Sequence, residues 1–383
     1  MYKIRWSFSK LILKFILYQI LHPITQFVCF RLGKFNKKLM KCKNVHFMHH
    51  SIFTAATIDF INEHFSNKDN LFLVRGNVGD IKQKFPRGDN VLRFFTCRLL
   101  NPNIFLNKKL IFHSLFNQSA INWLYDNQSL LKYSYWLVWG GDLYNAPTDE
   151  MNTFVRKNIY GVGSLCDNNL IKQKYGSKHV YFDTCMAIAP IDYEQLVNLR
   201  SRNGRTQTDT VVIQINNSID DSTLEMLDVL AIFKDENIHI KTILSYGNVK
   251  LKQGIINKGK SIFGNKFSYL DKILSSNKYA EYLAQNDILV LYQNRQQGVG
   301  NVIISLLLEN KIFIKFDISA AQYFQENEIK IYDSNEINKM NFYDFCEMNQ
   351  VTKIGNVKNT ELLLSNKRRI DEFSAIFNDC CSA

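Results

Sequence analysis

From residue 45 onward, short apolar runs alternate with segments whose apolar residues recur at helical spacing. Residues 45–49 (VHFMH), 70–74, 91–95, 109–113, 136–139 and 179–183 read as buried or half-buried strands. Residues 55–65, 117–131 and 168–175 read as the helices between them. A polar stretch at 199–210 (LRSRNGRTQTDT), with a glycine and four charges, has the composition of a linker. The alternation then restarts, with strands at 211–215, 238–244, 288–292, 312–316 and 329–332. Helices are predicted at 221–234, 277–285 and 301–310, and a polar helical tail at 346–383. Such alternation predicts an α/β chain of βαβ units on parallel sheets. The expected architecture is two Rossmann-like domains, 45–198 and 211–345, facing an interdomain cleft. Ligands of open parallel sheets bind at the carboxyl ends of the strands. Many functions share this plan, so it names none.

Residues 1–44 break the pattern. Ten lysines and arginines lie within the first 43 residues without one acidic residue, so the rest of the chain carries only +2 of the formal +12. A nucleic-acid binder spreads basic charge over a folded domain. Here the excess flanks the apolar segment 8–32, which points to an anionic membrane surface and away from nucleic acid. Its longest uncharged run, 15–30, is sixteen residues and is interrupted by His22–Pro23. A bilayer span needs about twenty apolar residues. An amphipathic helix lying in the membrane interface fits best, with a helix packed on its own domain and a true span as alternatives. No small-residue signal-cleavage site follows.

With 46% apolar and 21% charged residues, the chain has the composition of a packed globular protein. Its eight cysteines form no CxxC pair or metal-ligand cluster, which suggests reduced thiols and no metal site.

Two strand-to-helix stretches carry candidate chemistry. In 292–310 (YQNRQQGVGNVIISLLLEN), Gly298 and Gly300 allow a tight turn that aims backbone N–H groups and a helix amino end outward. That geometry suits a diphosphate. Arg295 adds a guanidinium able to hold two phosphate oxygens, and Gln296 and Gln297 add neutral hydrogen-bonding groups. An ordinary turn with an exposed arginine is the other reading. Neither the Walker pattern nor a GxGxxG follows a first strand, which argues against ATP hydrolysis and dinucleotide chemistry.

In 135–144 (YWLVWGGDLY), Asp142 stands just past a strand. It is placed either to take a proton from an acceptor hydroxyl or to cap the next turn. Trp139 and Tyr144 offer sugar-stacking faces. Asn216, Asn217, Ser218 and Asp220 follow the strand at 211–215, as ligand donors or helix caps. His46, His49 and His50 share the first strand, but 49 and 50 point to opposite faces, so a shared metal is not expected. His49 is a candidate acceptor-site residue, or a structural histidine.

These motifs carry a resemblance. WGGDLY (139–144), IYGVGSL (159–165), QINNSID (214–220), LSYGN (244–248) and RQQGVG (295–300) are similar in content and order to the bacterial 4-acetamido-4,6-dideoxygalactose (Fuc4NAc) transferases of enterobacterial common antigen synthesis. The likeness runs from about residue 45 to 335. It implies a GT-B fold, with the acceptor on the first domain and the nucleotide-sugar on the second. It implies a peripheral enzyme at the cytoplasmic face of the bacterial inner membrane. Such an enzyme moves the sugar of a dTDP-sugar to an undecaprenyl-diphosphate-linked saccharide, without metal or other cofactor. By position, Arg295, Gln296, Gln297, Gly298 and Gly300 would contact the donor. Asn217, Ser218 and Tyr246 would be further donor contacts, and Asp142 would be an acceptor contact or base.

Retaining GT-B enzymes often carry two glutamates in the loop and helix where this chain has Gln297 and Ser305. The retaining or inverting course is therefore open. So is the pathway, since the basic extension departs from the family and an O-antigen or capsule enzyme with another donor fits the same residues. A non-catalytic GT-B membrane partner is the reading furthest from these motifs.

Overall fold

The structure, a computed structural model, describes residues 34–380 apart from 52, 77–84, 95, 185–192, 203–209, 217, 219 and 246–248. The apolar run at 8–32 and the expected donor contacts Asn217 and Tyr246 lie outside the described residues. Two compact units form: Met1–Ala189 with Ile370–Ala383, and Pro190–Arg369.

The first unit begins with α1 (Lys34–Lys41), β1 (Asn44–His49), α2 (Thr54–His64), β2 (Asn70–Arg75) and β3 (Val91–Phe94). It continues through β4 (Lys109–His113), α3 (Gln118–Asp126), β5 (Ser134–Leu137), α4 (Gly141–Tyr144) and α5 (Glu150–Asn158). β6 (Gly161–Ser164), α6 (Asn168–Tyr175) and β7 (Val180–Asp183) follow. The second unit holds α7 (Tyr193–Arg202), β8 (Val211–Ile215), α8 (Ser222–Leu230), β9 (Ile238–Ile243), α9 (Val249–Phe263) and β10 (Phe267–Leu270). Then come α10 (Ser276–Ala284), β11 (Ile288–Leu291), α11 (Val299–Leu307), β12 (Lys311–Ile314) and α12 (Ser319–Glu326). β13 (Tyr332–Asp333), α13 (Phe342–Cys346) and α14 (Gln350–Leu363) complete it, and α15 (Asn366–Asn378) returns the chain to the first unit.

Both sheets are parallel. Their orders are β3-β2-β1-β4-β5-β6-β7 and β10-β9-β8-β11-β12-β13, so each reverses direction after its third strand. Two ligand crevices are thereby defined at carboxyl strand ends, between β1 and β4 and between β8 and β11. The two-fold strand period sorts the first core: Val45 and Phe47 face the cluster under α3, α5 and α6. Met48 faces the opposite side, with Ile58 and Ile61 of α2 and Phe373 of α15.

Two strands were not anticipated. β6 reads GVGS, a poor strand sequence, but its glycines are required: a Cβ on Gly161 would lie 2.3 Å from the Tyr135 ring. β10 is only four residues long and alternates weakly. The unit boundary also falls earlier than the polar stretch suggested, because α7 packs on α10 and α11. The expected tail divides: α14 packs on α11, whereas Phe373, Ile376 and Phe377 cover the first sheet. The end of the basic extension is part of the first unit, since Leu39 and Cys42 are buried in its core and Lys43 pairs with Asp69 at 3.2 Å.

One polar network sits inside the first sheet. Asn70 Oδ1 accepts from His46 Nε2 at 3.1 Å, and His46 Nδ1 lies 3.0 Å from His113 Nε2. With Asn70 Nδ2 donating to Ser66, these bonds assign a proton to each Nε2 and leave His46 Nδ1 as an acceptor. Burial pushes His46 down to about 4 and His113 well below its usual range. The unfolded chain therefore binds protons first, and stability is lost as pH falls from 6.5 towards 4. Urea unfolding at pH 5 is expected to show about 2 kcal/mol less stability than at pH 7 from His46 alone. The difference should shrink in His46→Gln; an equal pH effect in that variant would locate the acid lability elsewhere.

Candidate functional site

In the second unit the loops after β8 and β11 are tied together. Asn216 is buried; its N–H donates to Val290 O, and its Oδ1 accepts from Asn301 Nδ2 at 2.7 Å. Tyr279 Oη donates to Asn301 Oδ1 at 2.8 Å. Gly298 is the residue before α11, at φ +75°, and a Cβ there would lie 2.6 Å from Asn216 Nδ2. Only glycine meets both conditions, and it leaves the amino end of α11 without a side-chain cap. Backbone N–H groups at such an end attract anions.

The β11–α11 loop is braced from behind. Gln293 is buried and donates from Nε2 to Gln297 O at 2.8 Å. Lys315, after β12 and only 7% exposed, donates to Asn294 Oδ1 at 2.7 Å, and its Nζ lies 3.8 Å from the Tyr292 ring centre. Arg295, Gln296, Gln297 and Gly300 are half-buried along this loop and the first turn of α11. Asp220, after β8, titrates below the usual carboxylate range. Burial pushes it up, but hydrogen bonds with Ser222 and Ser218 and the positive charge of Arg295 outweigh that.

At the carboxyl edge of the first sheet, Asp142 is 1% exposed. Its Oδ2 accepts from Leu115 N at 2.7 Å and Trp136 Nε1 at 2.6 Å, and its Oδ1 accepts from Trp139 N at 2.9 Å. Burial raises its pKa, opposed by these donors and by the buried Arg156. Arg156 itself donates to Leu115 O and Asn152 Oδ1. Trp139 is exposed. Tyr144 Oη donates to Asp167 Oδ1 at 2.8 Å, and the ring packs on the core. His49 is half-buried at the end of β1, its pKa lowered by burial and then by Arg75.

The sequence matches no family model and no curated protein. Solved structures do match in fold. A UDP-forming α,α-trehalose-phosphate synthase from Burkholderia xenovorans superposes with a TM-score of 0.61 at 9% identity, over 89% of this chain and 100% of that one. A glycosyltransferase from Rickettsia africae ESF-5 gives 0.57 at 10%, over 88% and 100%. WaaG, a glycosyltransferase involved in lipopolysaccharide biosynthesis, gives 0.53 at 8%, over 88% and 100%. The fold is of the GT-B glycosyltransferase type.

Within that fold, Arg295, Gln296, Gln297, Gly298 and Gly300 share one strand-to-helix loop at the second crevice. Ser218 does not open onto it: its buried hydroxyl donates to Asp220 O at 2.8 Å, and its N–H donates to Thr223 Oγ1. It is a local cap. The geometry likewise favours the structural reading of Asp142 over the base, because three N–H donors hold the carboxylate and the residue is 1% exposed. Tyr144 is an anchor of the β6–α6 loop and not an open stacking face. The brace formed by Lys315 and Gln293 carried no sequence signal, since an isolated lysine after a strand is ordinary. Among the described residues, no three His, Cys, Asp or Glu side chains converge as metal ligands do.

Proposed function

We propose that the chain transfers a sugar from a nucleoside-diphosphate donor to an acceptor. The observation that carries this is the joined β8 and β11 strand ends, where Arg295 stands beside the uncapped amino end of α11. A glycosyl bond breaks as negative charge develops on the departing diphosphate. A guanidinium and fixed backbone N–H groups stabilise that charge without reorganising. A solved structure of the same fold, a trehalose-6-phosphate protein from E. coli, is bound with UDP-2-fluoro glucose. WaaG is described as acting in lipopolysaccharide biosynthesis.

On the sequence motifs we assign a dTDP-linked deoxyamino sugar of the Fuc4NAc type as donor. The acceptor assigned is an undecaprenyl-diphosphate-linked saccharide at the cytoplasmic face of the inner membrane. The basic residues preceding β1 would bring the enzyme to that surface.

A thermal-shift screen against dTDP, UDP, GDP, CMP and ADP tests the reading. A ligand at a hundred times its dissociation constant stabilises the fold by about 2.7 kcal/mol. The strongest response is expected from dTDP. A preference for UDP would replace the donor, and no response to any nucleotide would sink the transferase assignment.

A further inference from the structure

Three aromatic rings gather at the carboxyl edge of the first sheet, each from a different strand-end loop: Phe53 after β1, Phe116 after β4 and Trp139 after β5. Phe116 is 56% exposed and Trp139 36%. Phe53 meets Trp139 edge-on, with ring centres 5.6 Å apart and planes at 72°. Phe116 lies over the backbone of Gly141, where a Cβ would come within 2.8 Å of its ring. Exposed aromatic area is unfavourable, at roughly 25 cal/mol per Å². Loop slack would let these rings turn inward.

The loops are not slack. Asp142 binds the N–H of Leu115, the residue before Phe116, and the N–H of Trp139 itself, so one buried carboxylate sets both exposed rings. The backbone is also held in unusual conformations on both sides, with Ser114 at φ +84° and Gly140 at φ +73°. A non-glycine residue at positive φ persists only where its surroundings impose it.

We propose that Phe53, Phe116 and Trp139 form a stacking platform for a pyranose ring of the acceptor, an assignment that rests on the transferase reading above. Aromatic faces match the C–H face of a pyranose. The polar rim of such a ring needs hydrogen-bonding groups beside the platform: His49 ends β1, Arg75 ends the neighbouring β2, and Asn117 follows β4. Arg75 is oriented by donating to Asn117 Oδ1 at 2.5 Å. The platform also occupies the right place in the sheet. The loops after β1 and β4 flank the point where strand order reverses, at which open parallel sheets bind ligands. Asp142 is the positioning residue of this platform and touches no ligand.

The test uses the full chain in a Trp6→Phe background. Trp123 and Trp136 are buried, so Trp139 carries the ligand-sensitive emission. Methyl N-acetyl-β-D-glucosaminide, methyl β-D-glucoside and cyclohexanol are titrated, and dTDP binding is measured separately by thermal shift. A saturable emission change is expected with at least one methyl pyranoside. Phe116→Ala and Phe116→Leu should each weaken it about tenfold, equivalent to 1.4 kcal/mol, leaving the unfolding midpoint and the dTDP response unchanged. Asp142→Asn should also weaken pyranoside binding while the dTDP shift persists, a split that a general loss of folding would not produce.

The platform is overturned if cyclohexanol competes equally, if Phe116→Leu binds like the parent, or if neither pyranoside gives a saturable change. A dTDP response without pyranoside binding overturns the platform alone. Phe116-dependent pyranoside binding without any nucleotide response keeps a sugar site and removes the transferase reading.

Discussion

Replacing Arg295 by alanine is expected to lower kcat/KM by about 2–4 kcal/mol of transition-state stabilisation, roughly thirty- to eight-hundred-fold. The loop that carries Arg295 is held by Gln293, Lys315 and the Asn216–Asn301 pair. The effect should therefore fall on turnover and donor affinity more than on folding. Arg295→Lys keeps the charge but loses the planar fork that binds two oxygens, so it should recover part of the loss and not all of it. Steady-state kinetics with the nucleotide-sugar chosen by the thermal-shift screen, together with the unfolding midpoint of each variant, decide the matter. Parental kinetics in Arg295→Ala would place the diphosphate elsewhere.

Asp142→Ala is expected to destabilise the first unit by about 3–5 kcal/mol. It would strand three buried N–H donors, on Leu115, Trp136 and Trp139, and remove the carboxylate beside the buried Arg156. An unsatisfied buried donor costs about 1–3 kcal/mol, so the total is large even after partial relaxation. Asp142→Asn retains the shape and two acceptor lone pairs but sets an amide N–H against a donor, and should cost less than the alanine variant. Chemical denaturation measures both. A loss below about 1 kcal/mol in Asp142→Ala would mean that water replaces the carboxylate and that the loops are held by other contacts.

The difference between Asp142 and Ser218 shows how far the sequence could be read. Both stand just past a strand, and both drew the same two readings, ligand contact or structural cap. For Asp142 the decision needed the positions of Leu115 and Trp136. Their N–H groups come from another strand-end loop and from the strand itself, and spacing along the chain does not report them. For Ser218 the competing partner was local, two residues away, and the capping alternative was legible beforehand. Tyr144 was read as a stacking face for the same long-range reason, since Asp167 reaches it from the next βα unit.

The strands show a related division. β1, β2, β4, β8 and β11 are runs of branched and aromatic residues, and their burial on both faces makes them visible as continuous apolar segments. β6 was hidden because the packing of the Tyr135 ring against its backbone requires glycine, and glycine carries no strand preference. β5 stops at Leu137, two residues before the predicted end. That early stop puts Trp139 in a loop and exposes its ring.

By itself, then, the sequence determined the alternation of strand and helix, and so two parallel α/β units. It also determined the glycine-rich turn after β11 and the charge asymmetry of the first 43 residues, because hydrophobic period, glycine and net charge are local properties. Only the tertiary structure decided where the units divide and that the last helix returns to the first sheet. It alone joined Asn216 to Gly298 and Asn301, and it turned Asp142 from a candidate base into the support of two exposed aromatic rings. Hydrogen-bond partners and burial arise between segments far apart in the chain, and those contacts exist only once the chain has folded.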